Sequence, residues 1–222
     1  MYWIPLLSEK IMEISLIAKH LLWFLLLLIS LTLHEWGHAF VAYKLGDDTP
    51  YQAGRVTLNP LAHIDIFGTI LFPLLCIFTS AGILFGWGRP VPMEPSHFKR
   101  RELYTMLSGC AGLLGNLLLC LIASIILAFA QNYSILGYSL LELNAFLIAF
   151  NLFPIPGLDG FYLIKYGFKL SQETVEFLER WGFFIVLILI NIPLIRTLLS
   201  LIVHSIMAFF IQVSVTFYGW IG

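Results

Sequence analysis

Three ionisable side chains interrupt an apolar stretch that runs from residue 21 to residue 41: His34, Glu35 and His38. A stretch of this length and composition predicts a membrane-spanning helix, because about 20 apolar residues are needed to cross the hydrocarbon core. Ionisable groups are costly to bury there, and they usually face other helices or a water-filled cavity at a functional site. The stretch therefore predicts both a membrane protein and the position of its site.

The spacing of these residues predicts a metal centre. On a helix, residues four apart lie on one face, so His34 and His38 could hold one zinc ion while Glu35 stands beside it as a general base. A catalytic zinc site usually has three protein ligands and one open position. Asp159 is the best-placed third ligand, because the preceding Pro-Ile-Pro-Gly break at residues 154–157 can direct its carboxylate into a cavity.

Composition supports the membrane assignment. Of the 222 residues, 59% are hydrophobic and 11% are charged, against roughly 25% charged in an average soluble domain. The length allows about six spans of ~20 residues in one bundle within the lipid bilayer. The net charge of −1, without a long basic run, gives no support for nucleic-acid binding.

We therefore expect an all-α integral membrane protein with a bundle of about six transmembrane helices. Residues 1–20 are expected to form an interfacial helix before the first span. Residues 51–58 alternate and include β-branched side chains, which predicts a short re-entrant or β-hairpin segment after that span. The fourth helix is expected to be broken at its prolines. The expected spans are residues 21–43, 66–87, 103–129, 140–153 with a continuation at 161–170, 177–190 and 194–217.

Four motifs follow one another along roughly two-thirds of the chain. They are His34-Glu35-Trp36-Gly37-His38; Gly54-Arg55-Val56-Thr57-Leu58-Asn59-Pro60 with His63, Asp65 and Gly68-Thr69; Gly86-Trp87 with Pro90-Val91-Pro92; and Asn-Leu-Phe-Pro-Ile-Pro-Gly-Leu-Asp-Gly at residues 151–160. Together they resemble the site-2 protease family of intramembrane zinc metalloproteases. The middle two are similar to compact bacterial and archaeal members that lack a PDZ domain.

This resemblance implies one zinc ion per chain, bound by His34, His38 and Asp159. It implies that Glu35 is the catalytic base and later the acid, and that Asn151 helps to stabilise the oxyanion. One departure from the family's pattern is visible. In the third span, members often have a Gly-Pro pair ahead of an asparagine, whereas residues 112–116 here read Gly-Leu-Leu-Gly-Asn.

The resemblance also implies an organisation and a location. We expect residues 1–222 to form a single transmembrane protease domain, with a catalytic core at 21–170 and C-terminal helices at 171–222. The expected location is a prokaryotic cell membrane, crossed several times, and the expected substrates are transmembrane proteins or peptides. Such enzymes act in regulated intramembrane proteolysis or on signal-peptide remnants. We expect residues 51–58 or the proline-rich loop to pair with the unwound substrate as a strand does.

Two other functions remain open. A membrane metal transporter or sensor could use the same His/Asp cluster as a transit site, but it has no need for a base next to the first ligand. A prenyl-protein type of zinc protease shares only the first motif. The oligomeric state is open, and so is the orientation: the distribution of lysine and arginine favours a cytoplasmic N-terminus, whereas the resemblance places residues 46–65 toward the cytoplasm.

Several further polar residues have structural explanations. His63 and Asp65 stand beside a loop and are interpreted as loop anchors rather than ligands. Asn144 is interpreted as a hydrogen-bonding contact between helices. Arg55 could bind either substrate backbone or a lipid headgroup.

Overall fold

The computed structural model describes residues 3–78, 86–130 and 134–221, and within these ranges all regular structure is helical, with no β-strand. The α-helices are α1 (Trp3–Lys44), α2 (Thr49–Gln52), α3 (Phe72–Phe78), α4 (Arg101–Gly109), α5 (Gly112–Phe129), α6 (Ile135–Asn151), α7 (Asp159–Gly167), α8 (Gln172–Leu189) and α9 (Pro193–Ile221). Short 3₁₀ turns at Pro60–Ala62 and Pro95–His97 and a π-helix at Ile66–Leu71 occupy the connections.

The first helix is longer than a membrane span. Its 42 residues correspond to about 63 Å at 1.5 Å per residue, roughly twice the ~30 Å hydrocarbon core. The apolar part, Ala18–Lys44, is long enough to cross a membrane. The expected N-terminal helix and the first span are therefore one continuous helix, without a break near residue 20.

Three helical stretches in the described part of the chain are long and apolar enough to span a membrane: Ala18–Lys44, Arg101–Phe129 and Pro193–Gly219. Two shorter apolar helices occur at Ile66–Cys76 and Ile135–Asn151. Part of the expected second span, residues 79–85, lies outside the described residues. The count of about six crossings stays a prediction.

Helix α5 lies at the centre of the bundle, because α1, α6 and α9 all pack against it. The core between these helices is aliphatic, with Leu27, Leu127 and Leu141 fully buried. Large apolar side chains on the outer faces remain exposed, among them Leu114 on α5 and Phe209 on α9. This distribution is what a helical bundle in lipid requires, since lipid solvates the outer apolar faces.

The third expected span is divided. The helix ends at Gly109 and begins again at Gly112, and the amide of Cys110 donates to the carbonyl of Met106. The sequence pattern did not indicate this break. It places the small residues 109–112 at a junction of helices, where backbones approach closely.

The segment after the first helix is not a β-hairpin in the structure. Pro50 lies in the first turn of α2, a position that suits its fixed φ. The turn then closes at Gly54, which has a φ of 67°, and the amide of Arg55 donates to the carbonyl of Pro50 over 2.8 Å. The backbone groups of this segment bond within the local turn. Residues 51–58 therefore do not pair with another strand, despite their alternating pattern.

The broken helix is present as expected. Helix α6 ends at Asn151 and α7 begins at Asp159, with Gly157 at a φ of 92° between them. Gly160 allows the chain to return closely, because a Cβ there would collide with the backbone of Leu152. The break thus positions Asp159 at the start of a new helix.

Candidate active site

Three side chains from α1 and α7 converge inside the bundle. The Nε2 atoms of His34 and His38 are 3.2 Å apart, and Asp159 Oδ1 lies 3.6 Å from the first and 3.3 Å from the second. All three residues are buried. The structure therefore brings together the three residues that the sequence predicts as metal ligands, and these atoms could hold one ion.

Both histidines present a bare nitrogen to this cluster. His34 Nδ1 lies 2.7 Å from Asn116 Oδ1, and His38 Nδ1 lies 2.8 Å from the carbonyl oxygen of Ser108. These oxygens only accept, so each Nδ1 carries a hydrogen, and in the neutral form of each ring the lone pair then lies on Nε2. Three acceptors, including the Asp159 carboxylate, then face one another. That arrangement is electrostatically unfavourable unless a cation lies between them.

The donor set fits zinc. Nitrogen and oxygen ligands bound at about 2.0–2.2 Å around a tetrahedral zinc ion are roughly 3.3 Å apart, close to the spacing of the three atoms here. The second carboxylate oxygen of Asp159 is buried without a hydrogen-bond partner in the described part of the chain. Such an atom is costly to bury unless something compensates its charge, which a metal ion at this position would do.

A glycine on α5 makes room for the histidines. A Cβ on Gly112 would lie 2.5 Å from His38 Nε2 and would also collide with the ring of His34. The Gly112 amide nitrogen is 3.3 Å from His38 Nδ1, too long to compete with the shorter Ser108 contact. One turn further, a Cβ on Gly115 would meet the carbonyl oxygen of Leu33 at 2.6 Å. Glycines therefore let α5 approach the face of α1 that carries His34 and His38.

The same junction holds the third candidate ligand. The ring of Tyr162 on α7 packs directly on Gly109, leaving no space for a side chain at that position. Cys110 Sγ lies 3.6 Å from the backbone carbonyl of Asp159, to which it donates. The break between α4 and α5 therefore contacts both α1 and α7.

Glu35 is buried beside this cluster and faces the irregular segment of residues 86–94. A Cβ on Gly88 would lie 2.9 Å from Glu35 Cγ and 3.0 Å from its Oε1. The backbone of Gly88 therefore passes directly over the carboxylate. A substrate bound along this segment would lie within reach of Glu35.

One side of the 86–94 segment is bonded to the preceding loop. The amide of Trp87 donates to the carbonyl of Gly68 over 3.1 Å, and Thr69 Oγ1 donates to the carbonyl of Trp87 over 2.8 Å. Two residues on, the amide of Arg89 donates to the carbonyl of His63 over 2.8 Å. In an extended chain successive residues point their backbone groups to opposite edges. Across the described ranges, the amide and carbonyl of Gly88 have no hydrogen-bond partner.

His63 and Arg55 support this segment. His63 Nε2 donates to the carbonyl of Thr57 over 2.8 Å, and burial lowers its pKa below the ordinary value, so the ring is neutral at pH 7. The guanidinium of Arg55 is buried and donates to the carbonyl of Arg89. Asp65 accepts from the amide of Gly68. These contacts match the expected loop-anchoring role of His63 and Asp65, and they give Arg55 a partner within the protein.

Asn151 is the last residue of α6, and its Nδ2 donates to the carbonyl of Leu147 over 3.0 Å. In this conformation the amide is bonded to its own helix. Its expected role at the oxyanion stays a prediction.

The sequence interpretation did not assign Asn116, whose amide oxygen contacts His34. A polar amide in an otherwise apolar span was a signal for such a contact. Asn144 has the interhelical contacts expected of it, because it bonds Asn116 on α5 and Ser30 on α1.

Bacterial zinc metalloproteases are similar to this chain. A stretch of 186 residues is 38% identical to "Putative zinc metalloprotease YwhC" of Bacillus subtilis and covers 76% of this chain and 79% of that protein. A stretch of 174 residues is 34% identical to "Putative zinc metalloprotease Rip2" of Mycolicibacterium smegmatis and covers 75% and 65%. The Rip2 protein of Mycobacterium tuberculosis matches at 35% identity, over 62% and 54%.

The matched stretch thus spans most of YwhC but less than two-thirds of the Rip2 proteins. No family model and no solved structure matches the chain. The identity with YwhC and its coverage show that the chain belongs to this family of zinc metalloproteases. Zinc is the metal in the family's name, and His34, His38 and Asp159 form a group that could hold it. The helices long enough to span a bilayer agree with a prokaryotic membrane protein.

Proposed function

We propose that the protein is an intramembrane zinc metalloprotease of the site-2 type, which hydrolyses peptide bonds in or near transmembrane segments. One observation carries the proposal: His34 and His38 on α1 and Asp159 on α7 place three acceptor atoms within 3.6 Å of one another, and the apolar part of α1 is long enough to span the bilayer. In this proposal residues 1–222 form one multi-pass transmembrane protease domain in a prokaryotic cell membrane. All proposed site residues lie within the catalytic core at 21–170.

His34, His38 and Asp159 are proposed to hold the zinc ion. When bound, zinc lowers the pKa of water toward ~7 and polarises a carbonyl group. The chain's contribution is to hold the three ligands rigidly, since both histidine rings are fixed through Nδ1. Burial of the cluster also excludes competing solvent, which strengthens each electrostatic interaction there.

Glu35 is proposed as the general base. Its carboxylate takes the proton from the attacking water and later delivers it to the leaving amine, a role that requires it to lie between the metal ligands and the substrate. Its sequence position next to His34 and its contact with the Gly88 backbone support this placement. General acid–base catalysis of this type contributes about 10²–10⁴-fold in rate.

Asn151 is proposed to stabilise the oxyanion. Its Nδ2 must first leave the carbonyl of Leu147, its partner in this conformation. Asn151 is the last residue of α6 and is only partly buried. An oxyanion donor of this kind contributes on the order of 3 kcal/mol.

The 86–94 segment is proposed to bind the unwound substrate as an added strand. Of the two segments that the sequence indicated, residues 51–58 have their backbone bonded in a local helical turn. The 86–94 segment instead has one edge bonded to the loop, and within the described residues the backbone of Gly88 beside Glu35 has no hydrogen-bond partner. Main-chain pairing along a free edge is a common mode of peptide recognition, and it satisfies the amides of a helix that has unwound.

The proposed chemistry is tested with purified protein and a panel of membrane-spanning peptides. Glu35→Gln is expected to retain one zinc ion per chain but to lose cleavage by at least about 10²-fold, because the base is removed while the ligands stay. Zinc content is measured by atomic emission and cleavage by mass spectrometry. Retained cleavage in Glu35→Gln would refute the role of Glu35 as the general base. Wild-type protein that binds zinc and moves it across vesicles without cutting any peptide would favour the transporter.

The substrate edge is tested by photocrosslinking in the Glu35→Gln background, which traps uncut substrate. A photoreactive residue at Arg89, on the 86–94 segment, is expected to crosslink the peptide. The control position is Leu58, which is exposed and lies in the alternative segment at residues 51–58. Crosslinking at Leu58 and none at Arg89 would reverse the assignment.

A further inference from the structure

A buried chain of hydrogen bonds leads away from His34. His34 Nδ1 contacts Asn116 Oδ1 at 2.7 Å, Asn116 Nδ2 donates to Asn144 Oδ1 over 2.9 Å, and Asn144 Nδ2 lies 3.0 Å from Ser30 Oγ. The two asparagines and the serine are fully buried. The chain starts on α1, passes through α5 and α6, and returns to α1 one turn before His34.

The chain has a defined direction. Asn144 Nδ2 also donates to the backbone carbonyl of Leu140 over 2.8 Å, and a carbonyl oxygen only accepts. Asn144 therefore turns its amide nitrogen toward Leu140 and Ser30 and its oxygen toward Asn116. Asn116 in turn must present its nitrogen to Asn144 and its oxygen to His34. The Leu140 carbonyl thus determines, through two side chains, that Nδ1 of His34 carries the hydrogen.

We propose that Asn116 is a positioning residue for His34, which keeps the Nε2 lone pair directed at Asp159 and His38, and that Asn144 fixes the orientation of Asn116. This inference rests on the proposed function, in which His34 binds zinc. The two histidines differ in this respect: His38 is held by the main-chain carbonyl of Ser108, which no substitution removes. His34 alone depends on a side chain for its tautomer.

Metal-binding histidines in general depend on such partners, and losing one typically costs 10–100-fold in metal affinity. Asn116→Ala is therefore expected to raise the zinc dissociation constant by about 10–100-fold. Asn116→Asp keeps an acceptor for His34 Nδ1, and its carboxyl, which burial keeps protonated, donates to Asn144 Oδ1 in place of the amide, so this variant is expected to restore the constant to within a few-fold of wild type. Asn144→Ala should have an intermediate effect, because Asn116 can then turn its amide.

The experiment measures zinc dissociation constants by chelator competition on detergent-purified protein, together with the visible spectrum of the cobalt-substituted form and the thermal midpoint of the metal-free form. Ser124→Ala is the matched control, since Ser124 is also buried on α5 and its Oγ donates to the carbonyl of Cys120 within its own helix. This variant should bind zinc as wild type does.

A wild-type zinc constant in Asn116→Ala overturns the proposal, and so does Asn116→Asp protein that is folded but binds as weakly as Asn116→Ala. If Asn116→Ala does not fold, a wild-type constant in Asn144→Ala overturns it instead. The variant His34→Ala tests the proposed metal site separately from the positioning role of Asn116. If His34→Ala keeps full zinc affinity, the proposed metal site itself is wrong. If His34→Ala loses zinc affinity and Asn116→Ala does not, only the positioning role is refuted.

Discussion

Two groups of histidine and aspartate side chains in this protein have similar spacing and different surroundings. In each, the possible ligand atoms lie within 4.8 Å of one another: His34, His38 and Asp159 in the bundle, and Asp47, Asp48 and His97 at the end of α1. The bundle group is entirely buried, whereas in the loop group only Asp47 is buried.

The loop group is occupied by protein donors. One oxygen of Asp47 accepts from the amide of Thr49 over 3.0 Å, and the other accepts from the amide of Glu94 over 2.7 Å. His97 Nδ1 lies 3.0 Å from the same carboxylate. A metal ion would have to displace these bonds. Asp47 therefore serves to fasten residues 94–97 to the end of the first helix.

The bundle group lacks such donors. Both histidines direct lone pairs inward, and one oxygen of Asp159 has no partner within the described ranges. The comparison shows that proximity of ligating residue types does not define a metal site. Acceptor atoms left without a protein donor are the stronger indication, because a bound cation would remove the cost of burying them.

The largest expected effect separates the groups by metal content. Asp159→Ala should lose zinc and cleavage together, because two histidines alone leave an incomplete site. Asp47→Ala should keep one zinc ion per chain, since its carboxylate is already satisfied. Zinc stoichiometry of the two purified variants checks this. Equal loss of zinc in both would show that the loop group also holds metal, and unchanged zinc in Asp159→Ala would remove the third ligand.

The second prediction concerns the space around the bundle group. Gly112→Ala inserts a methyl group against both histidine rings, and a displacement of about 1 Å at a reacting group can cost 10²-fold in rate. We expect cleavage to fall about 100-fold. Gly167→Ala is the control, because a Cβ there meets nothing within 4 Å. Wild-type cleavage in Gly112→Ala would mean that the helices can separate without disturbing the ligands.

The sequence predicted those parts of the site that depend on local spacing. His34 and His38 lie on one face because they are four residues apart, and the Pro-Ile-Pro-Gly break indicated that the Asp159 carboxylate is directed into a cavity. The close approach at Gly112 follows from small residues in an apolar span. Each of these signals is contained in a short window of the chain.

Other features depend on contacts between distant residues. Asn116 is 82 residues from His34 along the chain. The sequence around either residue does not indicate that their side chains contact each other. The alternation at 51–58 suggested a strand, but a strand needs a partner edge, and the turn at Pro50 and Gly54 bonds the backbone locally. The 86–94 segment is bonded to Arg55, to His63 and to the Gly68-Thr69 pair. Its position over Glu35 therefore follows only from the tertiary fold.

A third and smaller effect is expected on stability. Asp47→Ala removes the acceptor for two backbone amides, which should lower the free energy of unfolding by about 2–3 kcal/mol, since bonds to a charged group contribute about 1.5–3 kcal/mol each and water can replace part of them. Asp48→Ala, at an exposed position, should change it by less than about 0.5 kcal/mol. Unfolding in mixed micelles measures both. Equal stability of the two variants would mean that residues 94–97 are not fastened by Asp47.

The smallest expected effect is the pH dependence of the stability that Asp47 contributes. Burial alone raises the pKa of Asp47, but hydrogen bonds from Thr49, Glu94 and His97 outweigh it and lower the pKa below the ordinary value of 3.8. A carboxyl whose pKa is lowered by folding stabilises the protein above its unfolded pKa, and this contribution is lost as the pH falls through the folded pKa. The stability difference between wild type and Asp47→Asn should therefore be constant from pH 7 to about 5 and shrink below that. Measuring both in a His97→Gln background removes titration of the neighbouring imidazole. A difference that grows on acidification would show that Asp47 is protonated more readily in the folded protein, and that its amide contacts do not outweigh burial.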